Sequence, residues 1–192
     1  MIHPCQSAAI DALRVVRDST FSGHTSESLR LVSDLHCDLS GEDAEAVVSY
    51  SSEPGSLVTL DCKVRGNMYW IGLRLDLGEG TFKPGDVLGV ALQGSSLHDC
   101  SLFVNLHMVQ NGVAAPTTFA DKLHLSPRDT VITALHTLSA LDPACAAPGW
   151  CSLVLGLPMQ DFRITLHDLH FFVLPAEQGL RSEPLQLSSV SA

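Results

Sequence analysis

Gly55–Leu77, GSLVTLDCKVRGNMYWIGLRLDL, carries the clearest mark of a β fold in the chain. Apolar residues recur at every second position on both sides of Gly66-Asn67, the side-chain period of a strand. The pair reads as a hairpin reversing at that Gly-Asn turn. In its second half Tyr69, Ile71, Leu73, Leu75 and Leu77 share one face, and Met68, Trp70, Arg74 and Asp76 share the other. With the leucine row buried, Tyr69 is expected inside. Trp70 is then expected outward, beside Arg74 and Asp76.

Working outward, the same rhythm of strand, polar turn and strand repeats. LRLVSDLHCDL from Leu29, AVVSYSS, VLGVALQG, CSLFVNLHMVQ, DKLHL, TVITALHTL, CSLVLGLP and DFRITLHDLHFFVLP all read as strands. Asn111-Gly112 and Pro84-Gly85 are turn signals, and Gly89 inside a strand marks a bulge or a close approach. Before Leu29, the segment Ser7–Asp18 carries Ile10, Leu13 and Val15 or Val16 at helical spacing. Thr20–Ser28 reads as a polar connector. After Pro175 the chain reads as an extended or disordered tail containing Pro184. The expected organisation is residues 1–28 as helix and linker, 29–175 as an antiparallel all-β sandwich, and 176–192 as tail. No strand–helix–strand alternation occurs, which excludes Rossmann and TIM architectures.

Composition narrows function. The 192 residues hold 11 Lys plus Arg against 21 Asp plus Glu, a net charge of −10. That surface repels phosphate and disfavours nucleic-acid binding. At 45% hydrophobic and only 17% charged, the chain hides more surface than an ordinary monomer, in a thick core or against other protein subunits. No apolar run approaches the ~20 residues of a membrane span. No secretory leader is read at the N-terminus, so the expected location is the cytoplasm or an assembled particle. The six cysteines form no CxxC pair. Cys145 and Cys151 bracket a Pro-Gly turn and would bridge in an oxidising compartment; reduced thiols are the default.

Three stretches, WIGLRLDLGEG, FKPGDVLGVAL and DFRITLHDLHFFVL, resemble the jelly-roll sandwich of galactose-binding-like and xylan- or cellulose-binding modules. In such modules a "GD" strand follows an exposed loop, and the last strand carries an acidic residue before an apolar run. Asp86 and Asp168 match these positions. The resemblance implies polysaccharide or glycan as partner, no catalytic activity, and a structural Ca²⁺ held by Asp168 with loop carbonyls. Jelly rolls also build lectins, capsid proteins and spikes. The alternative reading is therefore an assembly subunit, such as a phage-like head spike or decoration protein, docking through its termini.

Sugar rings present C–H faces that stack on flat aromatic rings, while charged side chains hydrogen-bond to their hydroxyls. Aromatics are only 6% of the chain, so candidates are few. Trp70 with Arg74 and Asp76 forms the expected ligand-binding group, and Trp150, after the Pro-Gly turn, is a further candidate. No P-loop, HExxH, GxSxG or GxGxxG motif is present, and no catalytic residue is assigned.

Overall fold

The computed structural model describes residues 2–42 and 44–177. Helix α1 (Pro4–Arg17) precedes β1 (Phe21–Thr25), β2 (Leu29–Val32), β3 (Leu35–Gly41), β4 (Glu45–Ser52), β5 (Val58–Arg65), β6 (Met68–Gly80) and β7 (Val87–Ser96). There follow β8 (Cys100–Gln110), β9 (Val113–Thr118), β10 (Leu123–Leu125), β11 (Thr130–Thr137), a 3₁₀ turn (Pro143–Cys145), β12 (Gly149–Gly156) and β13 (Phe162–Leu174).

The strands form two antiparallel sheets in the orders β1-β4-β5-β13-β7-β11 and β10-β8-β12-β6-β3-β2, with β9 also paired to β8. Their centre is a jelly roll: β5-β13-β7-β11 faces β6-β12-β8-β10, and among these strands every connection except β8 to β10 crosses between the sheets. The inward residues Leu60, Ile71, Leu75, Leu88, Leu92, Leu106, Leu153 and Phe171 are each at most 2% exposed. They are the alternate apolar positions of their strands.

The hairpin expected across Gly66-Asn67 does not form. β5 belongs to one sheet and β6 to the other. The turn, with Gly66 at φ 78°, carries the chain across the sandwich. Period two sets which face of a strand is buried, but both strands of a sandwich crossover bury a face as a hairpin would. The Asn111-Gly112 signal does close a hairpin, β8-β9, with both residues at positive φ (51° and 77°). β9 lies at an edge, where Pro116 is tolerated.

Tyr69 also departs from expectation: it is 61% exposed, whereas Met68 is buried. β3 pairs Ser40 with Trp70 but Gly41 with Met68, so Tyr69 is the extra residue of a β-bulge. The bulge shifts the alternation by one residue and turns Tyr69 outward, where its hydroxyl donates to Glu42 at 3.1 Å. Beyond the bulge the expected pattern holds, with Trp70, Arg74 and Asp76 outward.

Thr20–Ser28 is not merely a connector: Phe21–Thr25 forms β1 and pairs with β4. α1 belongs to the sandwich as well. Pro4 opens it, and the His3 ring accepts the Cys5 N–H. Cys5, Ala9, Leu13 and Val16 form its buried stripe, so Leu13 and Val16 face inward as expected, whereas Ile10 is 38% exposed. The helix packs on β6 and β13 where β3 and β5 no longer cover them. Gln6 accepts the Val173 N–H at 3.3 Å, satisfying a donor at that open edge. Asp86, on the "GD" strand, is buried and accepts the N–H groups of Lys83 and Ala176, fastening the chain after β13 to the turn before β7. The expected tail from 178 onward lies outside the described residues. Among those described, no helix is long and apolar enough to cross a membrane.

Candidate functional site

The outer face of the β10-β8-β12-β6-β3-β2 sheet gathers the sequence candidates. Strand register arranges its outward residues in rungs across the sheet. One rung holds Asp38, Gly72, Gly156 and Phe103. The next holds His36, Arg74, Val154, Asn105 and Thr118. The third holds Asp76, Ser152, His107 and Pro116, and the last Glu79, Trp150, Val109 and Ala114.

The two adjacent glycines of the first rung make room for Trp70. A Cβ on Gly72 would lie 2.7 Å from Trp70 Nε1, and one on Gly156 would lie 3.1 Å from Trp70 Cη2 and 3.3 Å from Phe103 Cβ. The indole therefore lies across both strands and ends beside Phe103, which is 45% exposed. Lys122 Nζ sits 4.1 Å from the Phe103 ring centroid. Trp70 and Phe103 together form an aromatic surface on a glycine floor.

Beside it lies a connected polar strip. Arg74 Nε donates to Asp38 at 2.8 Å and Arg74 Nη1 to Asp76 at 2.5 Å. Ser152 donates to Asp76 at 2.9 Å. Burial works against the charged guanidinium, but Asp38 and Asp76 hold it charged. His36 Nε2 lies 3.2 Å from Asp76 Oδ2, off the hydrogen-bonding direction, so this ring nitrogen is buried without a partner. Thr118 donates to Asn105 at 2.7 Å. Burial pushes the His107 pKa down; nearby Asp38 opposes this and Arg74 adds to it. Ser152 and Val154 point outward yet are only 7% and 1% exposed, so flanking side chains stand over them and β12 is a recessed floor.

The structure thus brings Trp70, Arg74 and Asp76 onto one face, as expected. Trp150 shares that face, half exposed, but six residues along β12 from Gly156, about 20 Å at strand rise. Asp168 is elsewhere, on the other sheet. Its carboxylate accepts from Arg17 Nε and Nη2 and from the Leu169 N–H. No group of three or more His, Cys, Asp or Glu suited to a metal occurs among the described residues. Sequence reasoning missed Asp38, His36, Asn105, His107, Ser152 and Phe103. The alternation of CSLFVNLHMVQ puts Phe103, Asn105 and His107 on one face, but nothing in it indicates that β6 lies two strands away.

No family model matches the sequence, and no curated protein matches it. Solved structures do. A family 4 carbohydrate-binding module superposes with TM-score 0.54 at 13% identity, covering 83% of this chain and 99% of its own. The CBM22-1 xylan-binding domain of Paenibacillus barcinonensis Xyn10C gives 0.45 at 12%, covering 82% and 94%. A Stig cyclase from Fischerella gives 0.48 at 10%, covering 92% and 98%. At these identities the likeness is one of fold, and the first of them confirms the jelly-roll sandwich.

Proposed function

We propose that this protein binds carbohydrate, without catalysis, on the outer face of the β10-β8-β12-β6-β3-β2 sheet. The observation that carries the reading is the Trp70–Phe103 surface laid on Gly72 and Gly156 directly beside the Arg74–Asp38–Asp76 strip. A sugar ring stacks on the aromatic surface through its C–H face. Its hydroxyls reach side chains already held in place by one another, so little rotamer freedom is lost on binding. Trp150, farther along the same face, extends the contact for a polymer of several sugars. The resemblance to polysaccharide-binding modules agrees with this. A calcium at Asp168 would have to share its carboxylate with Arg17, and belongs to this proposal only as a stabilising ion.

Affinity electrophoresis on a panel of soluble polysaccharides tests the reading. Retardation of the wild type on at least one polymer, lost in Trp70→Ala, is the expected result. Unchanged mobility across the panel would sink it.

A second reading keeps the assembly subunit but moves its contact from the termini, where α1 packs on its own sandwich, to self-association through the opposite outer face. There Val131, Leu135 and Leu174 are 70%, 39% and 36% exposed. Light scattering after size-exclusion chromatography decides it, since a monomer at all concentrations leaves no assembly role for that face.

A further inference from the structure

The buried thiols of Cys5 and Cys151 play no part in carbohydrate recognition, yet they meet. A Cβ on Gly80 would lie 2.4 Å from Cys5 Sγ and 2.9 Å from Cys151 Sγ, so both sulfurs crowd the space that this glycine leaves open. Their other acceptors are the Glu79 and Gly149 carbonyls, at 3.7 and 3.4 Å. Both cysteines are fully buried. Cys145, the other candidate partner of Cys151, sits in the 3₁₀ turn and is only partly buried.

The surroundings separate the two thiols chemically. Cys5 is in the first turn of α1, where the positive end of the helix dipole favours an anion. The neighbouring Cys151 thiol is the largest influence favouring the Cys5 thiolate, and His3 adds to it against the opposing effect of burial. Burial opposes charge on His3 as well, but its contacts with Cys5 and the Thr81 carbonyl outweigh that and raise its pKa. The His3 ring is fixed on Phe82, stacked at 4.6 Å between centroids. Elsewhere burial raises the thiols, Cys37 to about 12 and Cys62 to about 11, which leaves them inert.

We infer that Cys5 and Cys151 are a redox pair, attacking and resolving thiol, that closes to a disulfide and fastens α1 to β12 beside Trp150. The oxidant is a small-molecule disulfide. Cys5 thiolate attacks one of its sulfurs, forming a mixed disulfide and expelling a thiolate, which takes up the proton Cys5 had released. Cys151 then attacks Cys5 Sγ; the mixed disulfide breaks and the second thiol leaves with the Cys151 proton. The two protein thiols are oxidised, and the small disulfide is reduced to two thiols. Access requires that the first turn of α1 lift, parting the His3–Phe82 stack and the contact of Gln6 with the Val173 N–H.

The test treats the full chain with oxidised glutathione, then blocks free thiols and maps the peptides. The expected result is a Cys5–Cys151 cross-linked peptide, an intact mass lower by two hydrogens, and a melting temperature that rises on oxidation. The melting shift is absent in Cys5→Ser and Cys151→Ser. Cys151→Ser is expected to stop at a glutathione adduct on Cys5, a readout that survives even if the serine weakens packing. Six alkylatable thiols after treatment, a Cys145–Cys151 link, or a wild type that stops at the adduct would each overturn the inference.

Discussion

The two outer faces of the sandwich use the same device to different ends. On one, Trp70 lies over Gly72 and Gly156; on the other, Phe172 lies over Gly89, where a Cβ would meet its ring at 2.0 Å. Around Phe172 stand exposed Val131, Leu135 and Leu174, and the polar contacts of that sheet lie farther along its strands, with Gln93 and His167 on Asp129 and Arg17 on Asp168. Around Trp70, by contrast, Asp38, Arg74, Asp76 and Ser152 are joined in one strip over a recessed strand. A glycine under an aromatic ring is a packing solution and is not diagnostic by itself. What distinguishes the first face is that a joined set of polar groups lies directly beside the aromatic ring.

The sharpest way to break this comparison is Arg74→Met. It leaves Asp38 and Asp76 facing each other without their shared cation, and a loss of about 2 kcal/mol in urea unfolding is expected, discounted for their partial exposure. A further Asp38→Asn change is expected to restore part of that loss. No change in the Arg74→Met variant would mean that the strip is merely a solvated surface.

Trp70→Ala is expected to weaken polysaccharide binding about 10-fold and, by uncovering the glycine floor, to cost about 1 kcal/mol in urea unfolding. Phe172→Ala on the opposite face is expected to leave binding untouched. Equal effects of the two on binding would erase the distinction between the faces.

Smaller still is a pH effect. Burial holds the folded His107 pKa below the 6.5 of the free side chain. The unfolded chain therefore binds the extra proton first, and stability falls as pH drops from 6.5 through the folded value. His107→Gln should flatten the acid side of the stability profile. His3, whose pKa is raised, works in the other direction: its contribution is present below 6.5 and lost as pH rises through its folded value. Last, Val131→Thr, on the exposed face of β11, should shift unfolding by no more than about 0.5 kcal/mol.

Much of this was legible in the chain. Alternation in LVTLDCKVR, CSLFVNLHMVQ and DFRITLHDLHFFVL reports which residues enter the core, because burying one face of a strand imposes period two wherever it pairs. Asn111-Gly112 reports its own hairpin because positive φ at both positions is a local demand. Tyr69 was misread because a bulge is decided by the neighbouring strand: β3 skips that residue, and nothing in NMYWIG shows it. Thr20–Ser28 was misread because β1 is short and at an edge, with a burial alternation too weak to stand out in the sequence.

Alternation along single strands was enough for a two-layer β-sandwich and for the outward placement of Trp70, Arg74 and Asp76, since both follow from side-chain period. Which strands became neighbours was settled by packing between distant segments. Asp38, Arg74, Asp76 and Ser152 come from three different strands, as do Trp70, Gly156 and Phe103, and Cys5 meets Cys151 although most of the chain lies between them. Strand order in a jelly roll is set by how two sheets fill a common core, and that long-range packing leaves no periodic mark on the residues it brings together.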